Sequence, residues 1–82
     1  MIMVDVVVPS VDKTYNFALN ENVSVDTVVE EISEMIEQKE KITLVGNVSE
    51  FGLYDSDQKI ALPKGNTLQE CAIKNGSKLI LV

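Results

Sequence analysis

The stretch TLQECAIKNGSKLILV, residues 67–82, contains the local signals that decide the fold. Thr67 is followed three residues later by Glu70, which is the pattern of a capping box and predicts a single helical turn. Asn75 and Gly76 then form a dipeptide that strongly favours a tight turn. The stretch therefore predicts a capped turn and a chain reversal that lead into a final strand.

The final strand has two different faces. Because successive side chains in a strand point to opposite sides, Leu79 and Leu81 lie on one face, and Ile80 and Val82 lie on the other. If the two leucines pack into the core, Ile80 and Val82 face solvent.

Two strands and a helix are predicted upstream of this stretch. The run MIMVDVVVPS at residues 1–10 predicts a first strand, and TYNFALN at residues 14–20 predicts a second strand that forms a hairpin with it. On the first strand, the outward residues are Met3, Asp5 and Val7, and the inward residues are Ile2, Val4, Val6 and Val8. On the second strand, the inward residues are Tyr15, Phe17 and Leu19.

The helix has a recognisable start. Ser24 is a suitable N-cap, and Asp26 lies in the first turn, where the helix dipole favours an anion. The spacing predicts an apolar stripe that packs on the sheet and comprises Val25, Val28, Val29, Ile32, Met35 and Ile36. The pattern predicts an end near residue 40 and leaves the structure of residues 41–50 open.

Two short strands are predicted between the helix and the final stretch. EFGLYDSDQKIALP at residues 50–63 places them around an Asp-Ser-Asp turn at residues 55–57. Phe51 and Leu53 lie on one face of the third strand, and Tyr54 lies on the other. The turn lacks the third acid, the glycine and the distal glutamate of a calcium-binding loop.

Composition and charge limit the classes of function. The chain has 82 residues, which fits one domain at 1–82, and its net charge of -6 disfavours binding to nucleic acid. Its one cysteine, Cys71, cannot form an internal disulfide, and no stretch reaches the length that a bilayer span needs. We therefore expect a cytoplasmic protein that does not insert into membranes.

The order of these predicted elements resembles ubiquitin. The resemblance is most specific at residues 67–82, where the matching positions are Thr67, Leu68, Ile73, Leu79, Leu81 and Val82. It implies an α+β protein with the β-grasp fold, in which a mixed sheet of order 2-1-5-3-4 packs on one main helix.

Within that superfamily, the chain is most similar to the YukD/EsaB-type proteins. The residues that carry this similarity are Cys71, Ile73, Asn75 and Gly76, together with the short acidic chain that begins directly with a strand. These relatives are cytosolic accessory components of the type VII secretion systems of Gram-positive bacteria. The similarity implies a protein partner, such as the cytoplasmic part of a membrane secretion complex.

The sequence offers few of the residues that catalysis commonly uses. No histidine is present, so neither a Ser-His nor a Cys-His pair is available. Cys71 is expected to be a small buried apolar residue, and the helix acids, among them Glu30 and Glu34, are expected to form a solvated face. We predict no enzyme activity and no catalytic, cofactor-binding or metal-binding residues.

The alternative function is a modifier or sulfur carrier that acts through its C-terminus. Such proteins end in a flexible Gly-Gly whose carboxylate is activated, whereas this sequence ends at Val82 within a predicted strand. If that terminus is the natural one, this alternative is disfavoured.

Five apolar residues are predicted on the sheet face opposite the helix. They are Met3, Val7, Tyr54, Ile80 and Val82. By resemblance, Tyr54 and Val82 fall at two apolar positions of ubiquitin's main recognition surface. Five such side chains could make a patch of about a few hundred Å², and an exposed apolar patch of that size often marks a contact site. We therefore expect a protein partner or a second copy of the chain to bind here. The alternatives are that the residues are scattered on the surface or covered by residues 41–50.

Overall fold

The computed structural model describes residues 1–44 and 50–82. Five strands form one mixed sheet in the order β2-β1-β5-β3-β4. The elements are β1 (Ile2–Val8), β2 (Lys13–Leu19), α1 (Val25–Glu40), β3 (Leu53–Asp55), β4 (Ile60–Ala61) and β5 (Lys78–Leu81). The predicted α+β architecture and the predicted strand order are confirmed.

The β1–β2 hairpin has a regular antiparallel register. Ile2 pairs with Leu19 at one end and Val8 pairs with Lys13 at the other, with every residue between them matched one to one. Pro9–Val11 form a short 3-10 turn that closes the hairpin, and the left-handed φ of 53° at Asp12 returns the chain into β2. The inward residues of β1 are buried as predicted.

β5 lies in the centre of the sheet, parallel to β1 and antiparallel to β3. The Asn75–Gly76 turn brings it there, because Gly76 adopts a φ of +85° that other residues rarely take. Two hydrogen bonds then fasten the turn to β1. The Met3 N–H donates to Asn75 Oδ1 at 2.9 Å, and the Gly76 N–H donates to the Met3 carbonyl at 2.9 Å.

α1 begins and ends where the sequence predicts. The Ser24 hydroxyl accepts a hydrogen bond from the Thr27 N–H, and Lys41 ends the helix in a left-handed conformation with φ 54°. The helix packs its apolar stripe on the leucines and valines of the sheet. The largest fully buried side chains are Leu19, Ile32, Ile36, Leu53, Leu68, Leu79, Val4, Val6, Val8, Val25, Val28 and Val29.

The prediction that Met35 belongs to the buried stripe of the helix is wrong. Met35 is 39% exposed, whereas Ser33, which the pattern did not include, is buried. The Lys39 ammonium lies 5.4 Å from the centre of the Tyr15 ring on β2, and Met35 is one turn before Lys39 on the same side of the helix. Met35 therefore lies towards the edge strand β2 rather than above the middle of the sheet.

The segments that flank β5 and α1 are held by side-chain hydrogen bonds. The Thr67 N–H donates to Glu70 Oε1 at 2.8 Å and the Glu70 N–H donates to Thr67 Oγ1 at 3.0 Å, so the predicted capping box forms around a single turn. After α1, the Leu44 N–H donates to Glu37 Oε2 at 2.8 Å, and Leu44 is buried. The rest of the connection that the sequence left open, residues 45–49, lies outside the described residues.

Candidate protein-interaction surface

We call the sheet surface opposite α1 the outer sheet face. The predicted interaction residues are on it: Val82 is 50% exposed, Met3 46%, Tyr54 41% and Val7 38%, and Ile80 is half-buried. They face outward because their neighbours in each strand point into the core, and Leu53, Leu79 and Leu81 are buried there. The predicted phase of β5 is therefore the observed one.

The strand register brings four of the five residues together. Ile80 pairs with Val7 on one side and with Tyr54 on the other, so the three side chains form a row across β1, β5 and β3. Val82 follows Ile80 on the same face. The Val82 backbone pairs with Gly52, whose lack of a side chain leaves the Val82 side chain open on that flank.

Met3 stands apart from this group. It lies four residues before Val7 on β1, which corresponds to roughly 13 Å at the usual rise of a strand. Asp5 lies between them on the same face, in register with Lys78 of β5. The outer sheet face thus carries one apolar group, formed by Val7, Tyr54, Ile80 and Val82. Asp5 and Lys78 separate this group from Met3.

A surface depression with a volume of about 450 Å³ adjoins the apolar group. Its walls include Tyr54, Ile80 and Val82. The other lining residues, which the sequence prediction of the site did not include, are Asp55, Ser56 and Lys59. The Asp-Ser-Asp pattern predicted a turn at this place, but only the pairing of β3 with β5 brings the turn beside Ile80 and Val82.

The β3–β4 turn forms a well-braced wall of this depression. Asp55 is buried, and its carboxylate accepts hydrogen bonds from the Asp57 N–H at 3.0 Å and from the Gln58 side-chain amide at 2.8 Å. The Lys59 N–H donates to the Asp55 carbonyl at 2.7 Å, and the Ser56 N–H donates to the Lys78 carbonyl of β5 at 2.9 Å. The turn is therefore tied both to itself and to the central strand.

The charges differ between the two sides of the molecule. Lys59 lines the depression, and Lys78 is exposed on the outer sheet face in register with Asp5, whereas α1 exposes Glu30, Glu31 and Glu34 to solvent on the other side. Within residues 1–44 and 50–82, no group of three or more histidine, cysteine or acidic side chains could hold a metal ion. The outer sheet face thus combines apolar side chains with nearby hydrogen-bond donors, and its described residues form no metal site.

Cys71 is half-buried against the core. Burial raises the pKa of its thiol above the ordinary value, and the neighbouring charge of Glu70 raises it further. The thiol form is therefore favoured at neutral pH, as expected of a packing residue rather than a nucleophile.

Together, the mixed five-stranded sheet and the helix packed on it define a ubiquitin-like β-grasp fold, and known structures agree. The N-terminal ubiquitin-like domain of the 4931431F19Rik protein is 23% identical with a TM-score of 0.76, over 99% of this chain and 72% of that one. A ubiquitin-like domain of an Arabidopsis thaliana protein is 22% identical with a TM-score of 0.72, over 99% of this chain and 74% of that one.

An archaeal ubiquitin shares the same fold. The ubiquitin of Caldiarchaeum subterraneum is 16% identical with a TM-score of 0.73, and the match covers 98% of this chain and 89% of that one. No protein-family model and no curated protein sequence matches the chain. Among the residues that the structure describes, no helix is long and apolar enough to cross a membrane.

Proposed function

We propose that this chain is a ubiquitin-like module that binds another protein through its outer sheet face. The observation that carries the proposal is the apolar group of Val7, Tyr54, Ile80 and Val82 beside a depression of about 450 Å³. Contiguous exposed apolar patches larger than about a few hundred Å² are rare on monomeric proteins and often mark contact sites. Hydrogen bonds tie the β3–β4 turn to β5 and the Asn75–Gly76 turn to β1. Such a preformed surface suits binding without rearrangement.

The chemistry around the depression indicates what the partner presents. An apolar side chain of the partner fills the space between Tyr54, Ile80 and Val82, where desolvation favours an aliphatic or aromatic group. The ammonium of Lys59 at the rim favours a carboxylate or a carbonyl oxygen next to that side chain. The partner surface is therefore apolar at its centre, with an acceptor beside it.

The test replaces the two apolar residues at the end of β5. Ile80→Asp combined with Val82→Asp puts two carboxylates where the partner needs apolar contact, and we expect binding to weaken by at least about a hundredfold. The matched control is Gln38→Asp with Gln69→Asp, which adds the same charge at exposed positions elsewhere. Circular dichroism verifies that both variants are folded.

Binding is measured by affinity capture of partners from the native cell and by calorimetry with each captured protein. The proposal is supported if the β5 variant loses a partner that the control retains. It is refuted if the folded β5 variant keeps every partner.

We further propose that the module acts in the cytoplasm as an accessory or regulatory subunit of a type VII-like bacterial secretion system. The support is the resemblance at Cys71, Ile73, Asn75 and Gly76 to the YukD/EsaB-type proteins. Co-purification from the native cell with a membrane-bound secretion ATPase or its scaffold is the expected result. Capture of only unrelated proteins would refute this assignment and leave the binding surface itself intact.

A further inference from the structure

The edge strand β2 lacks most of the features that normally keep strand edges from pairing. It has seven residues, Lys13–Leu19, and β1 is its only neighbour in the described part of the sheet. Natural proteins protect such edges with charged side chains, especially lysine, with proline or bulges, or by keeping the strand very short. The one charged residue of β2, Lys13, lies at its first position and is paired with Glu40. β2 contains no proline or glycine, and its register with β1 is free of bulges.

Three residues of β2 direct their backbone groups away from the sheet. On β1, the Asp5 N–H donates to the Ser77 carbonyl and the Met3 carbonyl accepts from the Gly76 N–H, so these residues bond towards β5 and not towards β2. In an antiparallel pair, the residues opposite such positions point their N–H and C=O groups outward. By the observed register, these are Thr14, Asn16 and Ala18.

We propose that two copies of the chain pair antiparallel along β2, with the two-fold axis at Asn16. In this register, Asn16 pairs with Asn16 of the second copy, and Thr14 pairs with Ala18 of the second copy. Each of these pairs exchanges two backbone hydrogen bonds, so all three outward-directed residues are satisfied at once. The result is a continuous sheet through both copies, and this surface is distinct from the outer sheet face.

The side chains on the inner side of β2 suit the same register. Tyr15 comes opposite Phe17 of the second copy, and aromatic pairs across antiparallel strands are favourable. Within one chain the two rings already stack with centroids 5.6 Å apart, and Phe17 is only half-buried. Pairing would therefore cover an aromatic surface that the single chain leaves partly open.

Charge also allows this strand to approach its own copy. None of the 13 acidic residues of the chain lies in β2. Its one charged residue, Lys13, forms a salt bridge with Glu40 at 2.6 Å and comes opposite Leu19 of the second copy. No like charges therefore face each other across the proposed pair, although the net charge of -6 on each copy opposes association at long range.

The test compares two substitutions at the two-fold axis. Asn16→Pro removes the outward N–H. An edge strand tolerates proline at a position whose N–H faces solvent. Asn16→Ala is the matched control, because it loses the same side-chain hydrogen bonds to Val4 O and Asp5 Oδ1 but keeps the backbone N–H. Sedimentation equilibrium measures the dimer over a range of concentration and salt.

We expect the wild-type chain to dimerise weakly, with a dissociation constant on the order of 0.1 to 1 mM, because a single strand pair makes a small interface. Added salt should tighten the dimer, because it screens the repulsion between two acidic chains. Asn16→Pro should weaken it by at least about tenfold, since the central pair loses its hydrogen bonds, while Asn16→Ala should remain close to wild type.

Amide exchange on the wild-type chain gives a second measurement that needs no substitution. The Thr14, Asn16 and Ala18 amides should gain protection as concentration rises, whereas the Tyr15 and Phe17 amides, which bond to β1, should be protected at every concentration. The proposal is overturned by a chain that stays monomeric at about 1 mM. It is also overturned by a folded Asn16→Pro variant that dimerises like wild type, or by a foreign strand that occupies β2 without any self-pairing.

Discussion

At the scale of single residues, the N-cap Ser24 and the helix residue Ser33 have opposite energetic roles. The Ser24 hydroxyl lies at the helix N-terminus and accepts the Thr27 N–H at 3.3 Å, which satisfies one of the free donors of the first turn. Ser33 is 1% exposed, and its hydroxyl has no hydrogen-bond partner among the described residues. One hydroxyl therefore stabilises the helix, and the other is buried without compensation.

The same substitution should change stability in opposite directions at these two serines. Ser33→Ala should raise the free energy of unfolding by about 1 kcal/mol, because it removes an unsatisfied buried hydroxyl and improves helix propensity. Ser24→Ala should lower it by about 1 kcal/mol through loss of the cap. Urea unfolding of both variants measures the difference, and destabilisation by Ser33→Ala would mean that its hydroxyl is bonded.

The sequence indicated the role of Ser24 but not that of Ser33. An N-cap is a local pattern, since the capping side chain and its partner are three residues apart. The burial of Ser33 depends on how α1 is rotated over a sheet whose strands come from both ends of the chain. The wrong prediction for Met35 has the same cause. The apolar spacing along a helix does not show how far the sheet extends beneath it.

At the scale of elements, one side-chain contact fastens β2 to the end of α1. The Lys13 ammonium donates to both oxygens of the Glu40 carboxylate, at 2.6 and 2.8 Å. The hydrogen bond from Lys13 lowers the pKa of Glu40 below its ordinary value, against an opposing effect of desolvation. The carboxylate form is thus favoured in the folded chain.

Folding stability should therefore fall in acid through Glu40. Because the pKa is lower in the folded state than in the unfolded state, the contribution is complete above the ordinary glutamate pKa of roughly 4.3 and is lost as the pH falls through the lower folded value. Glu40→Gln should flatten this part of the stability profile, and Glu31→Gln, at an exposed position of the same helix, is the control.

Urea unfolding at several pH values and carbon-detected titration of the Glu40 carboxyl measure this effect. In Lys13→Met, the pKa of Glu40 should return towards the ordinary glutamate value, because the hydrogen bond from Lys13 is lost. An unchanged Glu40 titration in that variant would contradict the structural assignment of the pair.

Most elements were predictable because their signals are local. The helix cap, the capping box at Thr67 and Glu70, the Asn75–Gly76 turn and the alternation of β5 all arise from residues within a few positions of one another. The strand order came from the resemblance to ubiquitin and is confirmed. The depression beside Tyr54 was not predictable, because it forms where a turn meets a strand that is distant in sequence.

At the scale of the whole molecule, the acidic residues are concentrated on α1. Glu30 and Glu34 are exposed one turn apart on the same side of the helix, and Glu31 and Glu37 lie next to Glu34 along the helix surface. The whole chain carries a net charge of -6. Like charges at this spacing destabilise a helix, so stability should depend on ionic strength.

Reversing one of these charges should stabilise the chain. Glu34→Lys replaces repulsion with Glu30 by attraction and should raise the free energy of unfolding by roughly 0.5 to 1 kcal/mol at low salt. Glu34→Gln should give about half of that effect. Because salt screens exposed charges, the gain should shrink at about 1 M NaCl, and a gain that does not respond to salt would exclude an electrostatic origin.

The outer sheet face was predictable in part. Once β5 was aligned by its leucines, the outward direction of Ile80 and Val82 followed, and so did that of Tyr54. The separation of Met3 from the other four residues did not follow, because it depends on the register that sets Asp5 beside Lys78. Whether these residues bind a partner remains the proposal that the β5 variants test.

The parallel pairing of β1 with β5 has a consequence for how the chain reaches its native state. The two hydrogen-bonded residues Met3 and Asn75 are 72 positions apart, yet they hold the middle of the sheet together. During synthesis on the ribosome, the β1–β2 hairpin and α1 emerge long before the strand that completes their core. Until that strand is released, their apolar surfaces stay uncovered, so we expect slow closure of the fold and a need for protection of the nascent chain.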